Sequence, residues 1–290
     1  MRQTIHGDQP HNSIVDSLNG LGLLYLGVEG IRDADIAMKY YEDALAMTKR
    51  IHKNDEHPKC ATLLNNIGNA YLAKEGYIEK AIEYYNHSLK IARKAYKDDR
   101  HDEIIRPLCN LGKCCVGKKE FDNAIKYYEE GLEISQQIHI HKPHDNTALI
   151  FNRLGICYFF KENYAKAIEY YKNALEIREL IYQDNKSHPY IAASLINLAE
   201  AYYKNDQYDN AIKFCNRALQ ISKDNDGNHE QLLETAREIT GAFVSNYSLD
   251  KQKILSKYCS YMISIDTELL NTIEEYRSII ENNWFFDNLS

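Results

Sequence analysis

The chain has 290 residues, of which 44% are hydrophobic and 27% charged, with a formal net charge of −7 at pH 7. That balance suits a soluble, mostly helical protein and gives no general attraction for nucleic acid or membrane surfaces. No basic tract occurs, no apolar run approaches the ~20 residues of a transmembrane helix, and the opening MRQTIHGD lacks the apolar core of a signal peptide, so a cytoplasmic location is expected.

In chain order, residues 2–11 align with residues 178–188, which places Met1 inside the last turns of a would-be second helix. Either the chain begins inside a longer protein or a short leading turn caps an array. A segment then recurs every 43 to 46 residues: LNGLGLLY at 18–25, LNNIGNAY at 64–71, LCNLGKCC at 108–115, FNRLGICY at 151–158 and LINLAEAY at 195–202. Each copy is followed by a second block, AMKYYEDAL from Ala37, AIEYYNHSL from Ala81, AIKYYEEGL from Ala124, AIEYYKNAL from Ala167 and AIKFCNRAL from Ala211. Such a period decides the architecture before any single residue is interpreted.

Within a copy, apolar or small residues fall three and four apart, as in Leu64, Ile67, Gly68 and Tyr71, so they share one face of an α-helix that must be buried. The small residues Gly22, Gly68, Gly112, Gly155 and Ala199 leave room for a neighbouring helix, and Ala37, Ala81, Ala124, Ala167 and Ala211 do the same in the second block. No strand-like alternation competes. The pattern predicts five repeats over about 11–56, 57–100, 101–143, 144–187 and 188–226, preceded by a helix tail or cap at 1–10. Beyond Ser222 the repeat decays, and residues 227–290 are expected to form a degenerate sixth repeat and capping helices that end on Trp284, Phe285 and Phe286.

These blocks resemble the tetratricopeptide repeat, with its small residue at position eight, aromatics near eleven and seventeen, and Ala at twenty and twenty-seven. The long period and the HisPro openings at His57Pro58 and His188Pro189 resemble the kinesin light chain branch. The resemblance covers roughly residues 11–223 and departs from the pattern at Gly117, at Cys215, and at insertions between Tyr25 and Ala37 and near Lys74. It implies an all-α, right-handed superhelix of helix-turn-helix repeats, a solenoid closed by a C-terminal capping segment.

Catalytic and metal chemistry find little support. No GxGxxG, P-loop, HExxH or GxSxG element occurs. His139, His141 and His144 form an HxHxxH cluster, but His139 shares the repeat phase of His6 and His52, and His144 that of His11, His57, His101, His188 and His229, so periodicity explains all but His141. The seven cysteines, without any CxxC, read as free and largely buried thiols. No catalytic residue, metal or cofactor is expected.

What remains is recognition. The resemblance implies that positions two, five, six and nine of each repeat line an inner wall, and these positions are rich in Asn. The expected peptide-binding residues are Asn65, Asn66, Asn69, Arg106, Asn110, Lys113, Asn152, Arg153 and Asn197. An Asn amide both donates and accepts, so it can hold an extended peptide backbone, and the grouped cations Arg106, Lys113 and Arg153 would draw an acidic or C-terminal group to the middle of the wall. Some tetratricopeptide domains clamp a C-terminal carboxylate; Asn69, Asn110 and Arg153 match three clamp positions, whereas Asn65 and Leu149 stand where that pattern has lysines. The kinesin light chain resemblance implies grooves for extended cargo peptides. The leading expectation is a non-catalytic scaffold or adaptor for a protein or peptide partner, with no nucleic acid or membrane. Two other readings are a self-assembling module, in which the front of the chain or the Trp284 cluster docks a second copy to give a homodimer, and a peptide-sensing regulator.

Overall fold

The computed structural model describes residues 11–28, 33–97, 100–140 and 142–224. The expected terminal cap, degenerate sixth repeat and Trp284 cluster lie outside these residues. Every described regular element is helical: α1 (Asn12–Gly27), α2 (Ala34–His52), α3 (Pro58–Leu72), α4 (Ile78–Ala95), α5 (Asp102–Gly117), α6 (Phe121–Ile138), α7 (Asp145–Phe160), α8 (Tyr164–Ile181), α9 (Pro189–Lys204) and α10 (Tyr208–Asp224). Odd-numbered helices carry the first block and even-numbered helices the second, so the all-α fold of repeated helix pairs is as the sequence predicts.

The helices group into two compact units, divided after Lys161. The division falls inside the fourth period rather than between periods. In the first unit α1 packs on α2, α3 on α4 and α5 on α6, and each second helix also packs on the next first helix, up to α7. In the second unit α9 packs on both α8 and α10.

The start of each first helix has one recurring cause. His11, His57, His101, His144 and His188 stand at the N-cap with extended backbone, and each ring accepts the N–H of the second residue beyond it. The N-cap acceptor satisfies one of the helix's orphan donors. Four of these rings also stack at 3.5–3.6 Å on an aromatic ring from the end of the preceding helix: His52 on His57, Tyr96 on His101, His139 on His144 and Tyr182 on His188. The recurring histidines are therefore turn fasteners. His141 lies outside the described residues, and among these no group of three His, Cys, Asp or Glu could hold a metal ion. The opposite turns pass through one left-handed residue at a fixed repeat position, Gly76, Lys119, Glu162 and Asp206.

The small residues have the role their spacing predicts. Tyr85 lies flat against Gly68 and Tyr128 against Gly112, so that a Cβ at either glycine would stand only 2.6 or 2.7 Å from a ring carbon. Gly22 meets Tyr41 in the same way. These three tyrosines are wholly buried with Ile67, Leu108, Leu111 and Leu154. Each such aliphatic side chain contributes roughly 1.5–3 kcal/mol through burial. Pro58 and Pro189 stand at the start of their helices, whereas Pro107 lies inside α5, buried.

The candidate peptide-binding wall

The nine expected residues all fall on first helices, yet they do not present a uniform polar surface. Asn65 and Asn66 are buried, at 5% and 8% exposure, whereas Arg106 and Lys113 are exposed and the rest half-buried. Positions five and six of the second repeat thus differ from the exposed lining that the sequence predicts. The hydrogen bonds give the reason. Asn66 donates from Nδ2 to Asn19 Oδ1 at 2.8 Å, and Asn110 donates from Nδ2 to Asn65 Oδ1 at 2.9 Å and to Asn69 Oδ1 at 3.2 Å. The sixth-position Asn of the second and third repeats thereby bonds the fifth-position Asn of the repeat before. Tyr85 adds a bond from its hydroxyl to Asn69 Oδ1 at 2.8 Å.

This ladder joins α1, α3 and α5 side by side. It continues at its rim with Lys59 to Asp16 at 3.0 Å and Thr62 Oγ1 to Glu103 at 2.8 Å. Because the Asn110 amide nitrogen gives bonds to two acceptors, its remaining outward capacity is the Oδ1 acceptor. The wall's Asn side chains therefore hold the repeats together first.

The ladder stops at the next step. The fifth position of the third repeat is Cys109 and the sixth of the fourth is Arg153, so thiol and guanidinium meet where two amides met before. Burial pushes the Cys109 thiol up to about 12, against the opposing pull of Arg153. Arg153 also faces Tyr128 and Cys157, whose ionisation burial pushes up. The Tyr128 hydroxyl is buried without a hydrogen-bond partner among the described residues. Among those residues Arg153 and Lys113 have no hydrogen-bond or ion-pair partner, whereas Arg106 lies 3.4 Å from Glu103. Asn152 is engaged in further contacts, and so is Asn197, which stands on α9 in the second unit.

Sequence reasoning missed part of this wall. Leu23, Leu26 and Gly27 of α1, Asn69, Leu72 and Ala73 of α3 and its end, and Lys113 of α5 line a cavity of about 430 Å³. Leu26, Leu72 and Ala73 follow the ninth positions by one helical turn, a spacing that could have found them. The result is an apolar floor beside an unpaired ammonium group.

The sequence profile of the tetratricopeptide repeat matches residues 30–94, 61–137, 103–180 and 190–243, more than half of the chain. The chain belongs to the tetratricopeptide repeat family. Family members of this kind are protein-interaction scaffolds and are typically non-catalytic. Comparison with curated proteins finds no match. Among solved structures the repeats are similar to BtubC (BKLC) from P. vanneervenii, at 24% identity and a TM-score of 0.64 over 75% of this chain and 83% of that one. They are also similar to a Podosopora anserina putative kinesin light chain with nearly identical TPR-like repeats, at 20% identity and a TM-score of 0.58 over 76% and 100%. The apo form of RapI is 18% identical, with a TM-score of 0.62 over 94% and 91%. At these identities the likeness speaks for the fold alone. Among the described residues no helix is long and apolar enough to cross a membrane.

Proposed function

We propose that this chain is a non-catalytic scaffold that binds an extended peptide segment, acidic or C-terminal, along the first-helix wall of α1, α3, α5 and α7. The observation that carries the reading is the interrupted ladder: Arg153, half-buried beside Cys109 and Tyr128, has no internal anion or hydrogen-bond acceptor among the described residues. Leaving a guanidinium partly desolvated and unpaired is costly, and a ligand carboxylate removes that cost through charge-assisted hydrogen bonds. Lys113 supplies a second free cation, and the Leu23, Leu26 and Leu72 floor beside it accepts an apolar side chain.

Within this proposal the expected site divides by role. Arg106, Lys113 and Arg153 take the anionic groups, and Asn110 accepts a backbone N–H of the peptide. Asn65, Asn66 and Asn69 hold the wall in shape, and Asn152 extends it along α7, while Asn197 would contact peptide on α9 of the second unit by itself. Fluorescence anisotropy with labelled octapeptides tests the reading, using randomised sequences rich in Asp and Glu that end on a leucine carboxylate. Arg153→Ala removes bonds worth about 1.5–3 kcal/mol, so affinity falls roughly tenfold to a hundredfold. Added salt weakens the wild-type complex as well. Equal affinity for wild type and for the paired Lys113→Ala, Arg153→Ala variant would refute the wall as the binding site.

A further inference from the structure

The face of α1 that points away from α3 differs from the same face of every other first helix. Leu21 is 38% exposed and Leu24 46%, and Val28 just beyond them is exposed too. Their repeat counterparts are Ile67, Leu111, Leu154 and Leu198 for Leu21, and Ala70, Cys114, Cys157 and Ala201 for Leu24, all at 0–1%. Internal counterparts are covered because a second helix packs against each later first helix, α2 on α3, α4 on α5, α6 on α7 and α8 on α9. In a stacked array each helix pair buries its face on its neighbour, and a first-helix face left apolar and exposed is an interaction surface.

The side chains that cover Ile67 and Ala70 include Tyr41 and Ala44 of α2.

Charge on the adjoining helix points to the occupant. A groove of about 240 Å³ beside α1 is lined by Leu18, Asp43, Ala46, Met47 and Arg50. Counting from Ala37, Ala124 and Ala211, Asp43 shares the seventh position with Glu130 and Arg217. Those two residues pair with the thirteenth-position side chain of the preceding second helix, Arg93 and Glu179 respectively. Asp43 and Arg50 have no ion-pair partner among the described residues. They carry opposite charges two turns apart, so across a twofold axis Asp43 of each copy meets Arg50 of the other. An isologous contact requires this self-complementarity.

We propose that the 290-residue chain forms a homodimer through this face, with Leu21, Leu24 and Val28 of the two copies covering one another and Asp43–Arg50 pairs closing both rims. The contact is separate from the peptide wall and stands or falls without it. Sedimentation velocity of the full chain over a concentration series is the test. The expected result is a dimer that Leu24→Asp converts to monomer with unchanged helical circular dichroism. Asp43→Arg or Arg50→Asp alone weakens it, and the double charge swap restores it. The swap keeps the test decisive if the leucine variant folds poorly. A monomeric wild type, growth past the dimer, or a dimer that survives Leu24→Asp but dissolves on Trp284→Ala would each overturn the proposal.

Discussion

Two regions of the first unit are built from the same helices and behave as opposites. At the seam, Tyr41, Tyr85 and Tyr128 press on Gly22, Gly68 and Gly112, and the arrangement repeats with no change of residue type. On the wall, one or two positions away, the ninth residue is Leu23, then Asn69, then Lys113, and the chemistry changes at every step. The seam must close identically for each pair to stack, since one misplaced ring displaces a whole helix. The wall needs only a supporting ladder, and can vary where that ladder leaves off. The contrast separates the residues that specify the fold from those free to specify a partner.

Overfilling the seam breaks this contrast most strongly. Gly112→Leu drives a side chain into the Tyr128 ring, where even a Cβ stands 2.7 Å from the nearest ring carbon, so stability falls by about 1–3 kcal/mol. Gly20 lies in the same kind of helix with nothing within 4 Å, so Gly20→Ala raises stability by roughly 0.5–1 kcal/mol. Urea midpoints of the two variants should move in opposite directions; a Gly112→Leu midpoint equal to wild type would undo the assignment of seam and wall.

A second change sharpens the boundary. Asn110→Leu removes the donor shared by Asn65 and Asn69 and leaves the largely buried Asn65 carbonyl without its partner. The cost is of order 1 kcal/mol, the usual net worth of such a bond. Arg153→Ala, lacking internal partners, should shift the same midpoint by less. If Asn110→Leu unfolds no earlier than Arg153→Ala, the ladder does not hold the repeats and the amides belong wholly to the binding surface.

The seam was legible in the sequence and the ladder was not, for a physical reason. Small residues at a fixed helical phase have one reading, since only close helix packing needs them, and Gly68 and Gly112 could be assigned from spacing. Asn at position five or six has two readings, a ligand contact or a contact to the neighbouring repeat, and the choice depends on whether another amide stands opposite. That fact lies 41 to 47 residues away in Asn19, Asn65 and Asn69. Likewise, periodicity marked His57 and His144 as structural, but their capping depends on the ring nitrogen, a detail that spacing does not carry. The cavity beside Lys113 needed three helices at once.

The last expected effect comes from those caps and follows pH. Each capping ring accepts a backbone N–H at Nδ1, at 3.1–3.2 Å, and can do so only while that nitrogen is unprotonated. His57 is held below its ordinary value of 6.5, first by burial and then by the neighbouring His52 and Lys59 charges. Its folded value lies below its unfolded one, so the unfolded chain binds the proton more readily. The stabilisation is complete above the unfolded value and is lost as pH falls through the folded one. His52 faces this ring in a stack and is bonded to Asn12 at 3.2 Å, which holds its charge where it opposes a proton on His57. Loss of one such cap costs roughly 0.5–2 kcal/mol. Thermal unfolding followed from pH 7.5 to 5 should show a falling midpoint, and His57→Asn, whose amide caps without titrating, should flatten part of that fall. A slope identical in wild type and His57→Asn would mean that the ring's protonation is not linked to folding and that its stacking alone fastens the turn.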